Sequence, residues 1–140
     1  MKWTLLFFSL LFYLLLGCRS QQYSSKELPD KQLVFGNGDG VTGAVDTYIL
    51  LENGQLFHTN SITNTTVELK PLSTEQAEAY FHGIKVLSLS DIDFNHPGNN
   101  YYFLEEVNKN LKNRIVWGAE DQRLSKDRLE FYKELRSHIK

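Results

Sequence analysis

The stretch from Val45 to Glu52 constrains the fold more than any other. Val45, Thr47, Ile49 and Leu51 alternate with Asp46, Tyr48, Leu50 and Glu52, a period of two that sends successive side chains to opposite faces of a strand. Val45, Thr47 and Ile49 are β-branched, which suits a pleated, half-buried surface. Asn53-Gly54 follows at once and predicts a type I′ turn, in which both central residues need positive φ. Gln55–Thr59 then returns as the partner strand. A chain with this hairpin must build an antiparallel sheet around it.

The flanking segments extend that sheet. Gln32–Phe35 is a short strand candidate, ended by a glycine-rich loop from Gly36 to Gly43; Asn60–Thr65 is a polar connection, and Thr66–Leu69 a further strand stopped by Pro71. Ser73 with Gln76 has the spacing of a capping box. Ala77, Tyr80, Phe81, Ile84 and Leu87 recur at helical spacing, and Gly83 leaves the helix end open between Gly83 and Ser88. Asp91–Asn100 reads as a loop, and Tyr101–Val107 and Arg114–Trp117 as strands joined by a polar turn over Asn108–Asn113. Ser125 is the expected cap of a last helix, with Leu124 and Leu129 as a hydrophobic staple and Leu129, Tyr132, Leu135 and Ile139 facing the core. The expected fold is α+β, an antiparallel sheet of five or six strands with two helices packed on one face.

Upstream of this domain the composition changes. Lys2 and Trp3 precede Thr4–Leu16, thirteen residues polar only at Thr4, Ser9 and the Tyr13 hydroxyl. A helix of that length reaches about 20 Å, short of the roughly 30 Å bilayer core, so a secretory signal is expected rather than a span. The run closes on Leu15-Leu16-Gly17-Cys18, which resembles the bacterial lipobox; Leu15, Gly17 and Cys18 fit its pattern, and Leu16 is bulkier than usual. The resemblance implies cleavage after Gly17, acylation of Cys18 and a membrane anchor, stable because two or more chains are attached. An ordinary secretory signal with an incidental cysteine is the alternative. Cys18 is the only cysteine, so an intrachain disulfide is impossible. The expected organisation is a signal peptide over 1–17, the lipidated Cys18 and a flexible tether to residue 30, and one domain over 31–140. The expected location is the outer membrane facing the periplasm.

Charge is distributed unevenly. Glu27–Asn108 holds twelve acidic residues and three basic ones, Lys31, Lys70 and Lys85, whereas Lys109–Lys140 holds nine basic and five acidic. The chain as a whole carries a formal charge of −2, which gives no basic excess for nucleic acid. Solvated strand and helix surfaces account for the asymmetry, and a polar binding face is the alternative.

Several groupings carry residue types suited to chemistry. Gly38-x-Gly40-x-x-Gly43 matches a dinucleotide fingerprint, but that motif needs a helix next and a strand is expected. Adding Val45 imitates the kinase phosphate-covering loop without the lysine, catalytic-loop or metal-binding motifs that accompany it. A calcium loop through Asn37, Asp39, Gly40 and Asp46 would place Phe35 at a ligand position. Gly36, Gly38, Asp39, Gly40 and Gly43 therefore remain as a candidate ligand loop, able to offer exposed amides to an anion, with positive φ and close packing as the structural explanation. Asp91, Asp93 and His96 are candidate metal ligands in one loop, though no second cluster completes a set. Glu78 and His82 read as a surface pair, and no serine or thiol nucleophile is apparent. The Asn64-Thr65-Thr66 sequon has meaning only in a eukaryotic secretory route. Tyr101, Tyr102, Phe103 and Trp117 form a candidate interaction surface, with alternation placing Tyr102 opposite Tyr101 and Phe103.

Beyond the lipobox, Phe35-Gly36-x-Gly38-x-Gly40-x-Thr42-Gly43, Pro97-Gly98-Asn99 and Trp117-Gly118 resemble small uncharacterised bacterial envelope lipoproteins, a likeness that implies no activity. The leading expectation is a membrane-anchored binding module without a cofactor, held through the acylated Cys18, whose partner is an envelope protein or small ligand. The alternatives are a metal-dependent or hydrolytic enzyme using the Asp91–His96 loop and a structural envelope component.

Overall fold

The computed structural model describes residues 21–139; the expected signal peptide and Cys18 lie outside the described residues. The strands are β1 (Lys31–Asp39), β2 (Val45–Leu51), β3 (Leu56–Asn60), β4 (Thr65–Glu68), β5 (Asn95–His96), β6 (Asn100–Asn108) and β7 (Leu111–Trp117). Helix α1 (Thr74–Val86) follows β4, a 3-10 turn spans Leu89–Asp91, and helix α2 (Lys126–Ser137) follows β7. None of the helices among the described residues is long and apolar enough to cross a membrane.

The fold is α+β, but the sheet has seven strands in the order β4-β3-β2-β1-β6-β7-β5, more than the five or six expected. It is also mixed, because β5 runs parallel to β7. The extra strand lies in the segment expected to be a loop. Its backbone is captured by Val116 N–H donating to the Phe94 carbonyl and Ala119 N–H donating to the His96 carbonyl. The Asn113 side-chain amide donates to the Leu89 and Ile92 carbonyls and fastens the 3-10 turn to β7. These partners are distant in sequence, so no local pattern announces them.

Both helices lie on one face. Ala77, Tyr80, Phe81 and Ile84 of α1 join Tyr132 and Leu135 of α2 and Leu33, Phe35, Tyr48, Leu50, Leu104 and Ile115 of the sheet in one buried cluster. The expected capping box forms: Gln76 N–H donates to Ser73 Oγ at 3.1 Å and Ser73 N–H to Gln76 Oε1 at 3.0 Å. Gly83 does not end α1. A Cβ there would stand 2.7 Å from the Phe131 ring, so the glycine lets α2 approach. Leu87 caps α1 half-buried, and Leu89 takes the fully buried place. Ser125 occupies the cap position of α2 without capping it; its Oγ accepts from Arg128 Nη1 instead.

Two turns differ from expectation. At Asn53-Gly54 only Gly54 has positive φ, at 91°, and Gly54 N–H donates to the Leu51 carbonyl at 3.0 Å. The connection is therefore not type I′ but a type I-like turn closed by a left-handed glycine. Between β6 and β7 the polar turn shrinks to Lys109-Asn110, with Lys109 at φ 55°.

The described part of the expected tether is fastened to this end of the sheet. Tyr23 N–H donates to Gln55 Oε1 at 2.8 Å, and Gln55 Nε2 donates back to the Tyr23 carbonyl at 3.1 Å. Asn53 Nδ2 donates to the Gln21 carbonyl at 2.6 Å. Gln55 is 3% exposed, and its amide also bonds Glu68 and Asn53. Burial of that amide is tolerated because its donors and acceptor are all matched.

Candidate functional site

The glycine-rich segment is not an open loop. Gly36 and Gly38 lie inside β1, where Gly36 pairs with Phe103 and Gly38 with Tyr101. A Cβ on Gly36 would meet the Asp46 carbonyl at 2.0 Å and the Phe103 ring at 2.6 Å; on Gly38 it would meet the Tyr101 ring at 2.1 Å. The aromatic side chains of β6 lie across the bare glycine backbone, covering it where no side chain of its own can.

The turn that follows has its amides engaged. Gly40 N–H donates to the Asn99 carbonyl, Gly43 N–H to the Asp39 carbonyl, Val41 N–H to Asp39 Oδ1, Ala44 N–H to Thr42 Oγ1 and Val45 N–H to Ser61 Oγ. Asp39 also accepts from Thr42 Oγ1 at 3.1 Å, and the Val41 amide followed by this hydroxyl holds its carboxyl below the usual carboxylate range. Gly36, Gly38, Asp39, Gly40 and Gly43 thus make a closed hairpin with no amide array left for an anion. Gly43 has positive φ, 71°, and open space around it.

The candidate metal ligands do not converge. Asp91 ends the 3-10 turn, Asp93 is exposed, and the His96 ring packs against Phe94 at 4.7 Å. Among the described residues no group of three His, Cys, Asp or Glu could hold a metal ion.

The four aromatic residues divide as alternation requires. Tyr101 and Phe103 face away from the helices with Val34, Val45, Ile49, Val107 and Val116. Tyr102 and Trp117 are cross-strand partners beneath α2, stacked at 6.0 Å and 29°. Tyr132 of α2 meets Trp117 edge-on at 4.8 Å and Tyr102 at 5.8 Å, and its hydroxyl donates to the Gly36 carbonyl at 2.7 Å. Burial above all pushes the Tyr132 hydroxyl far above the usual tyrosine range, so it stays a donor. Tyr102 alone of these rings is substantially open, at 40% exposure.

These rings form one side of a cleft of about 400 Å³ lined by Tyr102, Trp117, Leu129, Tyr132, Lys133 and Arg136. At its other side the Arg136 guanidinium lies 4.8 Å over the Tyr48 ring. Tyr48 is stacked between Phe35 at 5.4 Å and His58 at 4.6 Å. His58 Nε2 and Asn60 Nδ2 both bond Asp46 Oδ1, at 2.8 and 3.0 Å. The bond from Asn60, then that from His58, holds the Asp46 carboxyl below its ordinary value, with the His58 and Arg136 charges adding to the effect. A second recess of similar size, between α1 and α2, has its central polar groups paired with each other: the Tyr80 hydroxyl bonds His138 Nε2 at 2.7 Å. The cleft beside Tyr102 combines exposed ring surface with unpaired cations, so it is the better ligand site.

Lys133 and Arg136 carry no signal of this role in the sequence, and Tyr132 reads there only as core. Each becomes part of a site because α2 crosses over the ends of β1, β6 and β7. No family model matches the chain, and comparison with curated proteins finds no match.

Proposed function

We propose that the chain is a lipid-anchored envelope protein whose domain binds a ligand or partner segment in the Tyr102–Arg136 cleft. The observation that carries this reading is the position of the cleft. Gln21 and Tyr23 are bound to Asn53 and Gln55 at one end of the sheet, and Tyr102, in register with Asn37 and Asp46, marks the other. From Leu51 to Asp46 the sheet rises about 17 Å at roughly 3.4 Å per residue. Cys18 precedes Gln21 by three residues, a reach of about 10 Å at full extension. An acyl anchor at Cys18 holds the fastened end near the bilayer and turns the cleft toward the aqueous side. The domain then works as a presenting module with no requirement for catalysis.

Two experiments test this. Cys18→Ala is expected to abolish palmitate labelling and leave an uncleaved or soluble species; unchanged labelling would remove the anchor from the proposal. A photo-crosslinking residue at Tyr102 in cells is expected to capture a discrete envelope component, while the same residue at exposed Val67, on edge strand β4, captures little. Equal capture at both positions would instead favour a structural envelope component without a dedicated site.

A further inference from the structure

The ligand chemistry of this cleft can be taken a step further, on the premise that it is a binding site. We infer that it receives a ring bearing a carboxylate, with the ring laid on Tyr102 and the carboxylate drawn to Arg136 and Lys133. The cations provide the first ground. Among the described residues Lys31, Lys126 and Arg114 have a carboxylate partner, on Glu52, Glu130 and Glu105, and the other lysines and arginines have none, so what sets a cation apart is its place in the cleft. Among the described residues Lys133 and Arg136 have none within ion-pair distance. They stand three apart on α2, which puts them on neighbouring positions of one helix face, and both line the cleft.

Arg136 is the more informative of the two. Its guanidinium makes no side-chain hydrogen bond among the described residues, and its Nη1 is buried without a partner. A buried donor left unmatched is costly, and a guanidinium has five donors in a fixed plane suited to a carboxylate. Contact with the Tyr48 ring restricts the guanidinium before any ligand arrives. Asp46 feels the Arg136 charge through space, and its Oδ1 is held by His58 and Asn60. The lining of the cleft carries these two cations and no acidic side chain. Such a lining calls for an anion, and the planar donors of Arg136 suit a carboxylate.

The ring requirement comes from the opposite wall. Tyr102 offers an open face backed by Trp117, a surface that accepts either the C–H face of a sugar or a second aromatic ring. The volume, about 400 Å³, suits one or two rings. The shared chemistry is therefore a ring with one carboxylate, which a sugar acid or an aromatic acid would supply.

Calorimetric titration of the full chain in nonionic detergent tests this with matched probes: galacturonate against its methyl ester, and 4-hydroxybenzoate against 4-hydroxybenzamide, with inorganic phosphate as the anion control. In at least one pair the acid is expected to bind at least tenfold more tightly than its neutral counterpart, and the productive pair identifies the source. Arg136→Gln should erase that preference, Lys133→Gln should weaken it about threefold, and Arg136→Lys should restore part of it. Unchanged thermal melting would show that Arg136→Gln remains folded. Neutral probes binding as tightly as the acids, with loss in Tyr102→Ala, would overturn the carboxylate while leaving the cleft as the site. Phosphate binding most tightly, affinity indifferent to Arg136→Gln, or no binding by either pair at millimolar concentration would also overturn the inference.

Discussion

Strand β6 has two faces, and they use aromatic rings for opposite ends. Tyr101 and Phe103 on one face lie over Gly38 and Gly36 and complete the packing of the sheet. Tyr102 on the other face stacks on Trp117 below α2 and leaves much of its ring open. Neighbouring residues of one type thus split between covered packing and open ring surface. The pleat alone separates them into two sets; what covers each set decides its use. The conspicuous glycines belong to the structural face, and the candidate site lies on the less conspicuous one.

The largest effect should come from placing a side chain on the structural face. Gly36→Ala would press a Cβ into the Asp46 carbonyl as well as the Phe103 ring, and overpacking of that kind costs about 3 kcal/mol or more; denaturant midpoints of the variant measure it. Phe103→Ala should cost about 3 kcal/mol through the lost ring and the cavity, read in the same way. Gly38→Ala should cost about 2 kcal/mol, and most of that should vanish in a Tyr101→Ala background, because the nearest obstructing atoms all belong to Tyr101. A double-mutant cycle reports the coupling; additive costs would show that the ring does not cover the glycine.

On the helix face the expected effects on stability are smaller. Tyr132→Phe removes the hydroxyl that donates to the Gly36 carbonyl and should cost about 1 kcal/mol. Tyr102→Ala should cost less than about 1 kcal/mol because the ring is well exposed, yet it should abolish binding of the acid probe in the calorimetric titration. A loss of stability as large as that of Phe103→Ala would erase the contrast between the faces.

The pH response follows from Tyr80, whose hydroxyl is pushed up to about 12 by burial first and then by the nearby Glu134 carboxylate. Its folded-state value lies above the unfolded one, so the contribution is complete below pH 10 and is lost as pH rises toward 12. Alkaline melts should therefore fall through that window, and less steeply in Tyr80→Phe. Asp46 behaves in the opposite sense: its lowered value means stability present at neutral pH and lost as pH falls through the folded-state value. Asp46→Asn should flatten the acid limb slightly, since the pair with His58 is partly exposed.

Much of the secondary structure was legible in local pattern. The Val45–Leu51 alternation, the Ser73 and Gln76 capping pair and the helical spacing of Ala77, Tyr80, Phe81 and Ile84 all depend on neighbours within a few residues. The extension of β1 through Gly36 and Gly38 was not legible, because glycine reads as a breaker unless rings from another strand cover it. Strand β5 was hidden for a related reason: Asn95 and His96 pair in parallel with Val116 and Trp117, some twenty residues away. The fastening of Gln21 and Tyr23 to Asn53 and Gln55 likewise depends on partners roughly thirty residues apart.

By itself the sequence determined an α+β chain with helix and strand periods in a definite order. It also determined that no intrachain disulfide can form within this sequence, and it carries an N-terminal motif resembling a lipidation signal. Tertiary structure decided which glycines are covered, which rings stay open and which cations lack a partner. Local periodicity records how a side chain points relative to its neighbours, whereas exposure and pairing depend on what arrives from elsewhere in the chain. Tyr132, Lys133 and Arg136 are an ordinary helical run until α2 is laid across Tyr48, Tyr102 and Trp117.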